Sequence, residues 1–387
     1  MKVAILSAIY SDNLGDGVLA LATEKLISLN NSEIEIVHLD ISGREDWSHN
    51  DKKSNSRLKK IFLALPGYFK DIATIFGWFF IFKPKVKGEL KKLSVCKPDQ
   101  IIVAGGQLIS DIHLNFPLKL SYIIEWANKH NIVVSYLAVG VAGKYSFIGR
   151  YLLNRTLTLP CVNFIGVRDN NSLKNLSYNF GVIGKLVPDS GLWASEIYKV
   201  RSPKNNFKVG LGISSPNELG LHSELEVDEA SHTEFWLELV IKVIDIGFEP
   251  VLFTNGSSDD EQYKERFALL LEKQHLSNNV DVAEKPSSPN ELLKLISSFG
   301  GLISHRLHAN IIAHSYGVPS IGLKWDTKLE SYFQLIGREK QCINNFDVDL
   351  TIKELLIAIE SGVPLQTIAN LKSKTSDAVD IITRKKI

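Results

Sequence analysis

Five consecutive residues, Ser304-His305-Arg306-Leu307-His308, place two imidazoles and a guanidinium where the apolar run Gly301 to Ser304 gives way to a helical repeat. The repeat runs from Arg306 to Tyr316 and stops at Gly317, with Pro319 beyond. Backbone donors and the dipole at a helix amino end favour an anion, and a histidine there can carry a proton near neutral pH. The junction therefore suits a phosphate or carboxylate with a proton donor beside it. After the strand Ser320 to Lys324, the stretch Lys324-Trp325-Asp326-Thr327-Lys328 offers two more cations at the carboxyl end of the same sheet, although lone lysines suit open surface equally well. No metal is expected: His305, His308 and His314 have no carboxylate or cysteine nearby to complete a zinc set, and His314 lies on a different helical face from His308. The GxSxG elbow of a Ser-His-Asp hydrolase is absent from the sequence.

The amino-terminal half carries four further candidates, each at the end of an apolar run. Asn13-Leu14-Gly15-Asp16 follows the first one; Asp16 either holds a sugar hydroxyl or orients a base, or else Asn13 or Asp16 caps the helix. Ala104-Gly105-Gly106-Gln107 allows a ligand close to backbone but matches neither GxGxxG nor a P-loop. Arg168, in Gly166-Val167-Arg168-Asp169, either meets a carboxylate or phosphate with its planar fork or ties to an acid such as Asp169. Asp189, in Val187-Pro188-Asp189-Ser190, is placed in the same way and suits a cap as well as a ligand.

The elements that must position these residues follow from periodicity. Lys2 to Ile9, Ile34 to Leu39, Gln100 to Val103, Ile132 to Val139 and Asn163 to Val167 are unbroken apolar runs of strand length, as expected of parallel strands covered on both faces. A short strand near Lys185 to Val187 follows, then a polar linker from Tyr198 to Asn206. Strand and helix alternate again from Lys208 to Ile213 onward, with helices over Glu229 to Ile246 and from Ser288-Pro289-Asn290 to near Gly300. The pattern predicts an α/β protein of two Rossmann-like domains facing a cleft: residues 1–197, residues 207–330, and a helical extension over 331–387 expected to pack back on the first domain.

At 387 residues, with 44% apolar and 22% charged side chains, the chain is long enough for two domains and has the composition of an ordinary globular protein. Its 44 basic residues face 43 acidic ones, so a net charge of +1 provides no global field for nucleic acid. Three scattered cysteines, Cys96, Cys161 and Cys342, make neither a disulfide framework nor a metal motif, and the first residues read as a strand rather than a signal peptide. A cytoplasmic location is expected. One insertion, at about 46–92, breaks the alternation: Ile61 to Phe82 is apolar but interrupted, with Lys52, Lys53, Arg57, Lys59 and Lys60 before it and Lys83, Lys85, Lys87, Lys91 and Lys92 after it. It is either a helical excursion packed on its own domain or a second subunit, or a peripheral contact with the inner membrane through residues 52–92.

In order, NLGD at 13–16, AGGQLISD at 104–111, VRDNNSLKNL at 167–176, PD at 188–189, HRLHANIIAHSYGVPSIGL at 305–323 and KWDTK at 324–328 resemble the polysaccharide pyruvyl transferase family. Ala104 departs from the family's frequent run of three glycines, and the insertion has no counterpart there. The resemblance implies a GT-B-like fold and transfer of the pyruvate unit of phosphoenolpyruvate onto two hydroxyls of a sugar, giving a ketal in bacterial cell-surface polysaccharide. It implies His308 as general acid or base, with Arg168, Arg306 and the Leu307 backbone on the donor; Lys324 and Lys328 are candidate donor cations. Asp16 is a candidate for deprotonating or positioning the acceptor, with Asn13, Gly15, Gly105, Gly106 and Asp189 on the acceptor or loop side. The donor is expected on the carboxyl-terminal domain and the sugar on the amino-terminal one. Phosphoenolpyruvate is then a substrate, no further cofactor is implied, and the saccharide acceptor is free, polymeric or carried on a polyprenyl diphosphate. Two other readings stay open: a GT-B glycosyltransferase using a nucleotide-sugar, and a non-enzymatic partner in polysaccharide assembly.

Overall fold

The unbroken apolar runs of the amino-terminal half form β1 (Lys2–Ser7), β2 (Glu35–Asp40), β3 (Gln100–Ala104), β4 (Val133–Val139), β5 (Val162–Val167) and β6 (Lys185–Leu186). They pair in parallel in the order β2-β1-β3-β4-β5-β6. Every residue of β3, and all of β1 but its first, is buried, because a central parallel strand is covered on both faces. The computed structural model describes residues 1–47, 66–200, 206–217, 219, 228–344 and 346–384. Its two units are Met1–Ser11, Leu19–Ser190 and Ser373–Ile387 in one, and Asp12–Val18 and Gly191–Lys372 in the other.

The helices of the amino-terminal half are α1 (Leu14–Asn30), α2 (Gly67–Gly77), α3 (Lys83–Cys96), α4 (Asn115–Lys129), α5 (Phe147–Leu157), α6 (Asn170–Phe180) and the single turn α7 (Ala194–Ile197). The core of the first unit joins sheet residues such as Leu6, Ile101 and Tyr136 to Ile123 and Ile124 of α4 and to Val86, Leu90 and Leu93 of α3. The insertion is thus helical and packed on its own unit over its described part, while Lys52, Lys53, Arg57, Lys59 and Lys60 lie outside the described residues. Asp169 caps helix α6, its side chain accepting from the Ser172 amide at 2.7 Å.

The second unit holds β7 (Lys208–Gly212), α8 (Glu229–Asp245), β8 (Glu249–Phe253), α9 (Ser258–Lys273), β9 (Asp281–Val282), α10 (Pro289–Ser297), β10 (Gly301–Ser304), α11 (Leu307–Ser315), β11 (Ser320–Leu323), α12 (Thr327–Leu335), β12 (Cys342–Ile343) and α13 (Val348–Ser361). Its strands pair in parallel in the order β12-β11-β10-β7-β8-β9. The chain winds outward from β7 to β9 and then restarts beside β7 at β10. That reversal leaves the carboxyl ends of β7 and β10 side by side, where open α/β sheets bind ligands. Asp228, Ser288, Asp326 and Asp347 cap α8, α10, α12 and α13 with their side chains. Helix α14 (Leu365–Thr383) begins in the second unit, and from Ser373 on it clusters with the first. There Asn30 Nδ2 donates to Ser376 O at 3.1 Å and to Asp380 Oδ1 at 3.0 Å, and Thr375 Oγ1 donates to Pro188 O at 3.0 Å.

Candidate functional site

At the carboxyl end of β10 the chain turns into α11, and Arg306 is the N-cap rather than a helical residue, with φ −81° and ψ 117°. Its amide donates to Ser304 Oγ at 3.0 Å, and Asn310 Nδ2 donates to the carbonyls of Ser304 at 3.2 Å and Arg306 at 3.0 Å, which fixes the turn. The Arg306 guanidinium is held by Asp260 at the start of α9: Nε lies 2.9 Å from Oδ2, and Nη2 donates to the same oxygen. Asp260 is fully buried, and its other oxygen accepts from the Ser215 amide at 2.8 Å, just beyond β7. Burial pushes the Asp260 carboxyl up, while the Arg306 guanidinium and the Ser215 amide pull it back down. Asp260 thus links the segments after β7 and β10 by one hydrogen bond and one ion pair.

His308, in the first turn of α11, points Nδ1 at Asp16 Oδ1, 3.5 Å away. Gly15 makes this approach possible: a Cβ there would sit 2.7 Å from His308 Cβ and 2.9 Å from its Nδ1. The turn carrying Gly15 and Asp16 belongs to the second unit, where Leu14 donates its amide to Asn255 O at 2.9 Å beyond β8. Asn13 Oδ1 accepts from the Gly15 amide at 3.2 Å, as a residue closing the start of α1 does.

The four histidines of this region differ sharply in surroundings. His314 is a core tie, with Nδ1 2.8 Å from Tyr332 Oη and Nε2 3.0 Å from Ser320 Oγ, and burial pushes it down to about 3. His305 lies buried against His232 and Trp236, and burial, His232 and Arg306 hold it well below the ordinary histidine range. His232 Nε2 accepts from Trp236 Nε1 at 3.2 Å, so its proton sits on Nδ1, 2.9 Å from Tyr263 Oη; burial lowers it to about 4. Of these four histidines, only His308 has a carboxylate partner among the described residues, and its side chain is 11% exposed. Among the described residues no cluster of His, Cys, Asp and Glu has the makings of a metal site.

The loop after β11 is attached to this turn through Trp325, whose Nε1 donates to His305 O at 2.7 Å. Lys324 Nζ lies 2.9 Å from Glu330, and Lys328 Nζ lies 2.7 Å from Asp326 and over the Trp325 ring. Both ammonium groups therefore begin in ion pairs that a ligand would have to share.

The remaining candidates belong to the first unit. Arg168 is 5% exposed, with Nε 3.2 Å from Asp169 Oδ2 and its guanidinium against the backbone of Gly140. Gly105 and Gly106 follow β3 with φ of 69° and 64°, a conformation that side chains rarely adopt, and a Cβ on Gly105 would meet Leu19 at 2.8 Å. Asp189 is buried just after β6.

Asp260, Ser214 and Asn255, at the same end of the second sheet, are not singled out by the sequence. Asp260 stands in an acidic first turn, Asp259-Asp260-Glu261, which reads as ordinary compensation of a helix dipole. Ser214 Oγ, both side-chain polar atoms of Asn255 and His305 Nδ1 are buried with no hydrogen-bond partner among the described residues. Buried polar atoms are nearly always paired, so these orphans beyond β7, β8 and β10 are open to partners of matching polarity. Serine and asparagine in turns after strands are too common for sequence to single these out.

The family model for polysaccharide pyruvyl transferase matches residues 13–327. The chain belongs to the polysaccharide pyruvyl transferase family. No curated protein sequence matches it significantly. Among solved structures, UDP-GlcNAc 2-epimerase from Methanocaldococcus jannaschii is similar, with a TM-score of 0.57, 15% identity and 99% of each chain covered. UDP-GlcNAc 2-epimerase from Neisseria meningitidis bound to UDP-GlcNAc has a TM-score of 0.54 and 13% identity, with 99% of this chain and 98% of that one covered. At such identities the likeness is one of fold: this pyruvyl transferase family member is an α/β protein with the two parallel sheets of GT-B proteins. Among its described residues no helix is long and apolar enough to cross a membrane.

Proposed function

We propose that this family member transfers the pyruvate unit of phosphoenolpyruvate onto two hydroxyls of a sugar, forming a ketal in cell-surface polysaccharide. The observation that carries this reading is the pairing of His308 with Asp16 beside an Asp260-anchored Arg306 at one helix amino end. Phosphoenolpyruvate brings a phosphate and a carboxylate, and the amino end of α11, Arg306, Lys324, Lys328, the Ser214 hydroxyl and the Asn255 Nδ2 amide offer donors of the kind both groups need. Asp16 lies 3.5 Å from His308 Nδ1, which assigns the proton for the substrate to Nε2 in this reading.

In the reaction, His308 gives its Nε2 proton to the methylene carbon, and C2 takes on oxocarbenium character. A sugar hydroxyl adds to C2 and loses its proton, the C2–O bond to phosphate breaks, and a second hydroxyl closes the ring. One proton enters at carbon from His308 and two leave the hydroxyls, one restoring His308 and the other departing on phosphate as hydrogenphosphate. Asp16 is here a positioning residue. Arg168, which the family resemblance assigns to the donor, is among the least accessible of the proposed group. The acceptor is a saccharide, free, polymeric or lipid-linked.

Calorimetric titration and thermal shift with phosphoenolpyruvate, against UDP-, GDP- and CMP-sugars, test the donor. Stabilisation by phosphoenolpyruvate that disappears in Arg306→Lys supports the proposal, since a lysine keeps the charge but not the fork. Stabilisation by a nucleotide-sugar alone overturns it.

A further inference from the structure

From Gly67 to Cys96 the insertion is one helical run, with α2 and α3 joined by a π turn over Trp78–Phe82. The flanking residues Gly77 and Lys83 are themselves in helical conformation, so the run does not break. A π turn rotates the face that follows it relative to the face before, and this run presents two apolar faces. One is satisfied: Trp78, Val86, Leu90 and Leu93 join the core of the first unit, and Phe82 lies under the buried Lys119 ammonium at 4.5 Å. The other is not. Phe69, Phe76, Phe79, Phe80 and Ile81 are between 53% and 76% exposed, and Phe76 stacks on Phe80 with ring centroids 6.3 Å apart.

Charge indicates what covers this face. Pro66 to Lys97 contains seven lysines and two carboxylates. Asp71 is engaged by His113 at 3.0 Å and Glu89 by Lys92 at 2.7 Å, while Lys85, Lys87 and Lys91 stand exposed within three turns of the aromatic tip. An exposed aromatic tip followed along the same helical run by exposed ammonium groups complements a surface with an apolar interior and a negative rim. A second copy of the same face would instead bring the same excess of positive charge to both sides. We propose that this run is a membrane-docking surface, which sets Phe76, Phe79, Phe80 and Ile81 into the headgroup region of an anionic bilayer without crossing it. The inference stands on this helix alone and does not depend on the reaction.

The test is co-sedimentation of the full chain with vesicles of phosphatidylcholine alone and of phosphatidylcholine with phosphatidylglycerol. The wild type should bind the anionic vesicles and lose binding as salt is raised. Phe76→Ser with Phe80→Ser, and separately Lys85→Glu with Lys87→Glu, should each weaken binding by at least about tenfold. Both pairs are exposed, so thermal midpoints should stay at the wild-type value, which separates lost docking from lost fold. Absence of wild-type binding overturns the proposal. So does wild-type binding by the Phe76→Ser, Phe80→Ser pair, or a wild-type dimer that this pair turns into a monomer without any vesicle binding.

Discussion

His308→Gln keeps the shape of the side chain and a hydrogen-bond donor but removes the titratable proton. Ketal formation should fall by about 10²- to 10⁴-fold in kcat, the usual worth of a positioned general acid, while stabilisation by phosphoenolpyruvate persists. Near-normal turnover would remove His308 from the acid role. Asp260→Asn tests the other half of the site. It leaves the Ser215 amide an acceptor but leaves the Arg306 charge without its counter-ion, and losing one partner of a buried pair costs about 3–5 kcal/mol. Denaturant unfolding should show that loss, and phosphoenolpyruvate affinity should drop with it; an unchanged midpoint would mean that the pair is not holding the turn. His308 and Arg306 were legible in the sequence because residue type and helix-start position together carry the signal. Asp260 was not, because what distinguishes it from its neighbour Asp259 is which way each faces.

Among the elements, the first turn of α1 is the one whose sequence and chemistry are hardest to separate. Gly15→Ala should raise helix propensity, yet the new Cβ would meet the His308 ring well inside contact distance. The expected outcome is a large fall in turnover together with a lower thermal midpoint, because the clash includes His308 Cβ and moves the start of α11 as well as the ring. Unchanged kcat in Gly15→Ala would show that the approach is relaxed in solution. Asparagine, glycine and aspartate after a strand told of a turn and a cap, and Asn13 does close the helix start. That the glycine serves a histidine on α11 depends on packing between segments far apart in the chain. The insertion behaves similarly: its apolar and basic composition was visible, but which aromatics face inward is set by the π turn at Trp78–Phe82.

For the molecule as a whole, the buried histidines make stability depend on acid. His232 is lowered to about 4, His314 to about 3, and His305 well below its usual range, burial being the first cause for each. A lowered folded value means that the unfolded chain binds more protons below about pH 6.5, so stability present above that pH is lost as pH falls toward 4. Thermal midpoints measured from pH 7 down to pH 4 should decline, and His232→Gln should flatten the decline; a midpoint constant over that range would contradict the neutral, buried assignment.

The sequence by itself determined the α/β class, the two Rossmann-like sheets and the family. Those depend on local information: unbroken apolar runs for doubly covered strands, capping residues at helix starts, and motif strings in a fixed order. Only the tertiary structure decided the strand orders, which put the ends of β7 and β10 side by side, and the contacts made across them. The Asp260–Arg306 pair, the Gly15–His308 approach and the orphan atoms of Ser214 and Asn255 are all of this kind. Side-chain type is written residue by residue, but hydrogen-bond partnership and burial belong to pairs, and a single sequence holds no record of which distant residues are paired.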